Sequence, residues 1–337
     1  MKSVYGVISA IAVSSAGMGH AGIDLSGQPI GLIFETGTVY QFSYGVVDPE
    51  VTSAVPATSD ATSPFGSMGF GFKNDINETL SYALIVDQPY GADIAYSDGP
   101  FAGGYAFVDS KGVTALLRYK FDENFSVYGG LRALQAEGSL ASIGLLDASS
   151  DWGLTPVVGA AYERTDIALR VALTYTAPVT LDFSGTENFA PVEFDVDFPE
   201  SWALDFQTGL NPKTLLFGQI RYVPWAGTNL TAGAGTYVDF ADDETTYTLG
   251  LGRRITDDLS GSLSVTYLGE GETPTTNTLA PTNGRQAINL GLSYDAGNGV
   301  TVAGGVSYQM LGDQTVLGVP FSDNSAWGAG FRVTVAR

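Results

Sequence analysis

The run SWALDFQTGLNPKTLLFGQIRYVPW, residues 201–225, places large apolar side chains at every second position. Trp202, Leu204, Phe206 and Leu210 share one parity, while Asp205 and Gln207 share the other. Beyond Asn211-Pro212-Lys213 the rhythm resumes, with Leu216, Ile220 and Tyr222 set against Gln219 and Arg221. A period of two belongs to extended strands, and two such runs joined by a tight turn make a hairpin. The greasy face then points either into the core of a soluble sandwich or out to lipid from a closed barrel.

The same alternation continues through most of the chain. Leu117 and Tyr119 oppose Arg118 and Lys120, and Ile167, Leu169, Val171 and Leu173 oppose Ala168, Arg170 and Thr174. Leu263, Val265 and Tyr267 oppose Ser262, Ser264 and Thr266, and Ile288, Leu290 and Leu292 oppose Asn289 and Ser293. The last run, from Ser325, sets Trp327, Phe331 and Val333 against Arg332 and Thr334.

The connections alternate in length. Short turns are expected at 74–78, 122–125, 164–166, 211–214, 256–258 and 296–299. Between them lie longer polar connections at 48–64, 91–108, 137–150, 178–200, 226–243, 270–284 and 311–324. Six short turns and seven long loops join fourteen strands. Short turns on one side, long loops on the other and Tyr or Trp near strand ends describe a transmembrane antiparallel β-barrel of about 14 strands. Its apolar parity faces lipid, because in a bilayer the backbone groups must pair within a closed sheet.

Composition agrees. The 337 residues include 43 Gly, 17 Tyr and 18 Phe, with only 15% charged residues, which suits strands and turns. The formal net charge of −21 argues against a nucleic-acid partner. There is no Cys and a single His, His20. Residues 1–21, with Lys2, an apolar run from Val4 to Ala16 and a small-residue tail, read as a secretory signal cleaved after Ala21. Cleavage removes His20, so no Ser-His pair remains for acyl hydrolysis, and the expectation is a non-enzyme without a cofactor. The acid runs 193–200 and 239–246 read as solvated outer loops and lack calcium-loop spacing, so no metal site is expected.

The run PESWALDFQTGLNPKTLLFGQIRYVPWA, with ETGTVYQFSYGVVDPEVTSA (35–54) and LSYALIVDQPYGADIAY (80–96), resembles the FadL/TodX family of outer-membrane transporters for long-chain fatty acids and other hydrophobic compounds. The likeness lies in strand order over most of the mature chain. It implies a monomeric barrel in a Gram-negative outer membrane, surrounded by lipid and lipopolysaccharide. It also implies an N-terminal plug and passive movement of a hydrophobic molecule from outer loops to a pocket, then sideways through a kink in the third strand. Residues 22–35 stand where the plug would be, but they are few and lack the family's Asn-Pro-Ala stretch. Residues 36–337 form the expected barrel.

Site candidates follow. Pro89 and Gly91 are the expected break in a third strand over 80–91, since Pro cannot donate to the ladder and Gly tolerates bulges. The alternative is that Pro89 only ends the strand at the outer rim. Tyr90, Tyr96, Phe101, Tyr105 and Phe107, with Phe183, Phe189, Phe194 and Phe198 in the later loop, are candidate substrate-binding rings. Arg118, Arg132, Arg170 and Arg221 carry lumenal parity and are candidate partners for a carboxylate cargo, or for lumenal acids such as Asp205. The rival function is a general diffusion porin or a structural barrel.

Overall fold

A computed structural model describes residues 23–271 and 277–337; the expected signal segment and Gly22 lie outside these. Fourteen antiparallel strands form one closed barrel. In chain order they are β1 (Val39–Glu50), β2 (Phe65–Asp75), β3 (Leu80–Asp87, resuming over Ala92–Ala95), β4 (Tyr105–Lys120), β5 (Phe125–Ala141), β6 (Gly153–Arg164) and β7 (Leu169–Thr176). They continue as β8 (Ser201–Asn211), β9 (Thr214–Val223), β10 (Glu244–Arg254), β11 (Leu259–Leu268), β12 (Arg285–Gly297), β13 (Val300–Leu311) and β14 (Ser325–Ala336). The ladder closes where β14 pairs with β1, from Val39 opposite Ala336 to Glu50 opposite Ser325.

The parity reads as expected. In the β8–β9 hairpin Trp202 faces Tyr222 and Leu204 faces Ile220 on the outside, while Asp205 accepts a 2.9 Å hydrogen bond from Gln219 inside. On β11, Leu263, Val265 and Tyr267 are half exposed outward, and Ser264 and Thr266 are buried inward. A continuous belt of exposed apolar side chains around a closed sheet is what a bilayer covers. This is an outer-membrane-type barrel.

Local chemistry sets the short turns. The Asn77 side-chain oxygen accepts from the amides of Thr79 and Leu80 at 2.9 and 2.8 Å, and Asp122 does the same for Asn124 and Phe125 at 2.7 and 2.8 Å. Each such bond replaces a backbone partner where the chain reverses. At the opposite rim the structure departs from the expected loop bounds. β4 and β5 run longer than expected, and the 178–200 connection is itself a hairpin, Val179–Glu187 against Ala190–Phe198. Its turn residues Asn188 and Phe189 both have positive φ, the conformation of a tight primed turn. Glu244, read as part of a solvated run, opens β10 and is buried.

The lower lumen is filled by the N-terminal segment. A short 3-10 helix, Gly31–Phe34, buries Ile33 and Phe34 among Ala83, Leu116, Tyr128 and Ala172 of the wall. The guanidinium groups of Arg118 and Arg170 each lie 4.7 Å from the centre of the Phe34 ring, and Tyr128 meets it edge-on at 5.5 Å. Below it Gly37 donates to Asp75 at 2.6 Å and accepts from Lys73 at 3.2 Å. Gly37 has φ +79, and a Cβ there would stand 2.7 Å from the Arg337 carbonyl oxygen, so only Gly makes this turn.

Phe34→Ala should leave the barrel assembled, because no ladder bond involves that side chain, while loosening the plug by about 3 kcal/mol. Planar-bilayer recordings should then show higher ion conductance than the wild type; unchanged conductance would mean that Phe34 does not close the lower lumen.

Candidate functional site: an apolar cavity behind a broken strand

The site begins with β3. From Leu80 to Asp87 the strand pairs with β4, and from Ser81 to Val86 it also pairs with β2. It then loses register. Residues 88–91 stand opposite only 109–111 of β4, four residues against three, before pairing resumes at Ala92 opposite Val108. This is a β-bulge containing Pro89, which has no N–H to lose. The strand therefore breaks and continues; Pro89 does not end it at the rim.

Other groups hold the broken backbone. Ser110 accepts from the Tyr90 amide at 2.8 Å and donates to the Tyr90 carbonyl at 2.6 Å. From the lumen side the N-terminal segment adds a short antiparallel bridge. Leu25 donates to the Pro89 carbonyl at 2.8 Å, and Gly91 donates to the Ile23 carbonyl at 3.0 Å. Leu25 packs on Gly91 so closely that an added Cβ would fall 2.4 Å from its methyl. Asp24, between them, receives two 3.1 Å bonds from the buried Arg221 of β9.

The bulge turns Tyr90 into the lumen, where it is buried against Phe198 (5.0 Å between ring centres) and Trp225 (5.7 Å). Trp225 also packs on Phe240 at 5.0 Å, and Phe183 stacks parallel to Phe194 at 5.2 Å. Beside this aromatic wall is a cavity of about 1020 Å³, counting its open mouth. Ile23, Ala92, Ile94, Phe183, Phe194, Phe198, Trp225 and Leu279 are among its lining. Among the described residues no Lys or Arg lines it; Glu137 is its one charged residue, and that carboxylate lies half exposed, 4.0 Å from Lys111.

The sequence candidates divide accordingly. Phe183, Phe194 and Phe198 line the cavity, and Tyr90 buttresses its wall. The rings after β3 do not form one cluster. Tyr96 donates to the Thr278 carbonyl at 2.7 Å and packs with Phe101 and Phe321 in a separate core. Tyr105 and Phe107 share the outward parity of β4, with Phe107 exposed, and Phe189 is exposed at its hairpin tip. The four arginines are engaged elsewhere. Arg118 pairs with Glu163, Arg132 with Asp87 at 2.7 Å, Arg221 with Asp24, and Arg170 donates to Gln207 at 3.1 Å. Sequence reasoning missed Ile23, Trp225, Phe240 and Leu279. Trp225 stands beyond Pro224, past the end of β9 at Val223, where alternation no longer reports direction.

No protein-family model matches this sequence, and no curated protein does. Solved structures do. A FadL homologue from Pseudomonas aeruginosa superposes with a TM-score of 0.75 at 14% identity, over 98% of this chain and 99% of that one. The toluene transporter TodX of Pseudomonas putida gives 0.67 at 12% identity over 91% and 92%, and the CymD monoaromatic hydrocarbon channel gives 0.64 at 14% over 97% and 99%. The fold is the FadL-type barrel. At such low identity a shared FadL-type architecture speaks for the course of the backbone, while the cavity chemistry is this chain's own.

Asp24→Asn removes one charge of a buried pair and takes from Arg221 its hydrogen-bonded carboxylate, a loss on the order of 3 kcal/mol. Native-state hydrogen exchange should then show weakened protection at the Leu25 and Gly91 amides, with Asp205→Asn, whose partner is Gln219, leaving both as in the wild type. Equal protection in all three proteins would show that the ion pair does not anchor the segment.

Proposed function

We propose that this protein is an outer-membrane channel for passive uptake of uncharged hydrophobic molecules, which partition into the cavity from the outer loops and leave sideways through the break in β3. The observation that carries this reading is an apolar cavity, with no Lys or Arg on its described lining, set immediately inside the bulge of β3. A cargo burying about 150 Å² of apolar surface there gains roughly 4 kcal/mol at 25 cal/mol per Å². A carboxylate would lose hydration worth several kcal/mol and find no Lys or Arg on the described lining to repay it. Uncharged molecules are therefore preferred over fatty-acid anions. The superposed toluene and monoaromatic-hydrocarbon channels support the same cargo class.

Transport of this kind needs no nucleotide and no reaction, which fits a FadL-type channel rather than an enzyme. The working unit in this reading is the monomer, since the cavity and the break in β3 lie within a single barrel. Outer-membrane lipid and lipopolysaccharide surround the belt, and the cargo leaves into them.

A matched pair of ligands tests the cargo class. The mature protein in lipid nanodiscs should bind butylbenzene saturably, and bind 4-phenylbutyrate at least tenfold more weakly at pH 8. As pH falls toward the ligand's own pKa the carboxyl takes up a proton, the charge disappears, and the gap should narrow. Changing Phe183 and Phe194 together to Ser should abolish both. Comparable binding at pH 8 would overturn the preference for uncharged cargo, and saturable binding of neither ligand would overturn the cavity as a cargo site.

A further inference from the structure

We infer that Gln88 is the latch that holds the gap in the barrel wall closed, a positioning residue for the exit step; this rests on the lateral-exit reading above. The gap has defined limits. Pairing of β2 with β3 stops at Phe70 opposite Val86, and the two sides rejoin where Thr62 bridges Ile94 and the Ala95 amide donates to the Ala61 carbonyl at 2.8 Å. Between these points residues 63–69 and 87–93, seven on each side, make no ladder with each other.

One side chain crosses that space. The Gln88 Oε1 accepts from the Met68 amide at 2.9 Å, standing in for a strand carbonyl, and its Nε2 donates to the Asp109 carboxylate on β4 at 3.0 Å. Asp109 is itself steadied by the Ser110 amide at 2.8 Å. Gln88 shares the outward parity of Leu84 and Val86, so it spans the gap on the membrane side. Leu25, on Gly91, covers the lumen side. On the β2 edge Gly66 and Gly69 flank this place and offer no side chain to fill it.

Opening a paired strand would break a row of backbone bonds, whereas on the membrane side this closure rests on a single amide with three rotatable bonds. A rotamer change frees both ends at once. In hydrocarbon the exposed Met68 N–H has no water to turn to, which draws the amide back. Gln88 therefore sets the barrier to passage, and leaves the depth of the cavity site alone because it is not among the lining residues.

The mature chain has no cysteine, so a clean cross-link is available. Butylbenzene transfer into and out of proteoliposomes would be followed for the wild type, Q88A, D109A, and Met68→Cys/Gln88→Cys joined by a short bis-maleimide. The expected result is that the cross-link stops transfer, while Q88A and D109A speed both directions at least threefold and accelerate exchange of the Met68 amide. Entry and exit rise together, so the dissociation constant holds. Unchanged transfer in the cross-linked protein would overturn lateral exit and this inference with it. A blocked cross-linked protein alongside wild-type rates in both Q88A and D109A would leave lateral exit standing and overturn the latch alone.

Discussion

The structure depends on one constraint: in hydrocarbon a backbone N–H or C=O has no partner except another part of the protein. A barrel meets it by pairing every strand on both edges, and here β14 closes on β1 over twelve residue pairs. β3 departs from the rule, and the departure is compensated bond by bond. The Ser110 hydroxyl serves the Tyr90 backbone, the Ile23 and Leu25 backbone serves Pro89 and Gly91, and Gln88 serves Met68. A wall broken in this way stays closed through a few replaceable bonds, which is the physical basis for the exit proposed at that point.

The same economy governs charge. With 36 acids against 15 bases, the chain has few cations for its interior, and those described are occupied. Arg118 and Arg170 hold Phe34 of the plug, Arg132 meets Asp87 at the lower end of the break, and Arg221 pins Asp24 at its inner side. Each thereby builds the plug or the gap. The cavity is left with largely aromatic and aliphatic walls, and the proposed preference for uncharged cargo follows from where the cations lie.

Much of this was legible in the sequence because it is local. Alternation at 201–225 gives two strands and the direction of every side chain on them, and side-chain oxygens at Asn77 and Asp122 mark the turns. The bulge at Pro89 and Gly91 was legible for the same reason: one residue lacks a donor and the other lacks a side chain. What escaped is long-range. Nothing near Arg118, Arg132 or Arg221 names Glu163, Asp87 or Asp24 as partner, since each pairing spans dozens of residues or more. Trp225 follows a proline outside any strand, and Phe107 and Phe189 look like binding rings until the strand parity of β4 and the turn at 188–189 point them outward.

Lumen and lipid are told apart along every strand by the phase of one alternation. Single cysteines placed in turn along Arg285–Gly297 of β12, spin-labelled in lipid bilayers, report it directly through relaxation by oxygen and by a water-soluble nickel complex. Labels at Ile288, Leu290 and Leu292 should be accessible to oxygen dissolved in the lipid, and labels at Asn289, Gly291 and Ser293 should be shielded from it. Oxygen accessibility without a period of two, or with the opposite phase, would contradict the barrel as described.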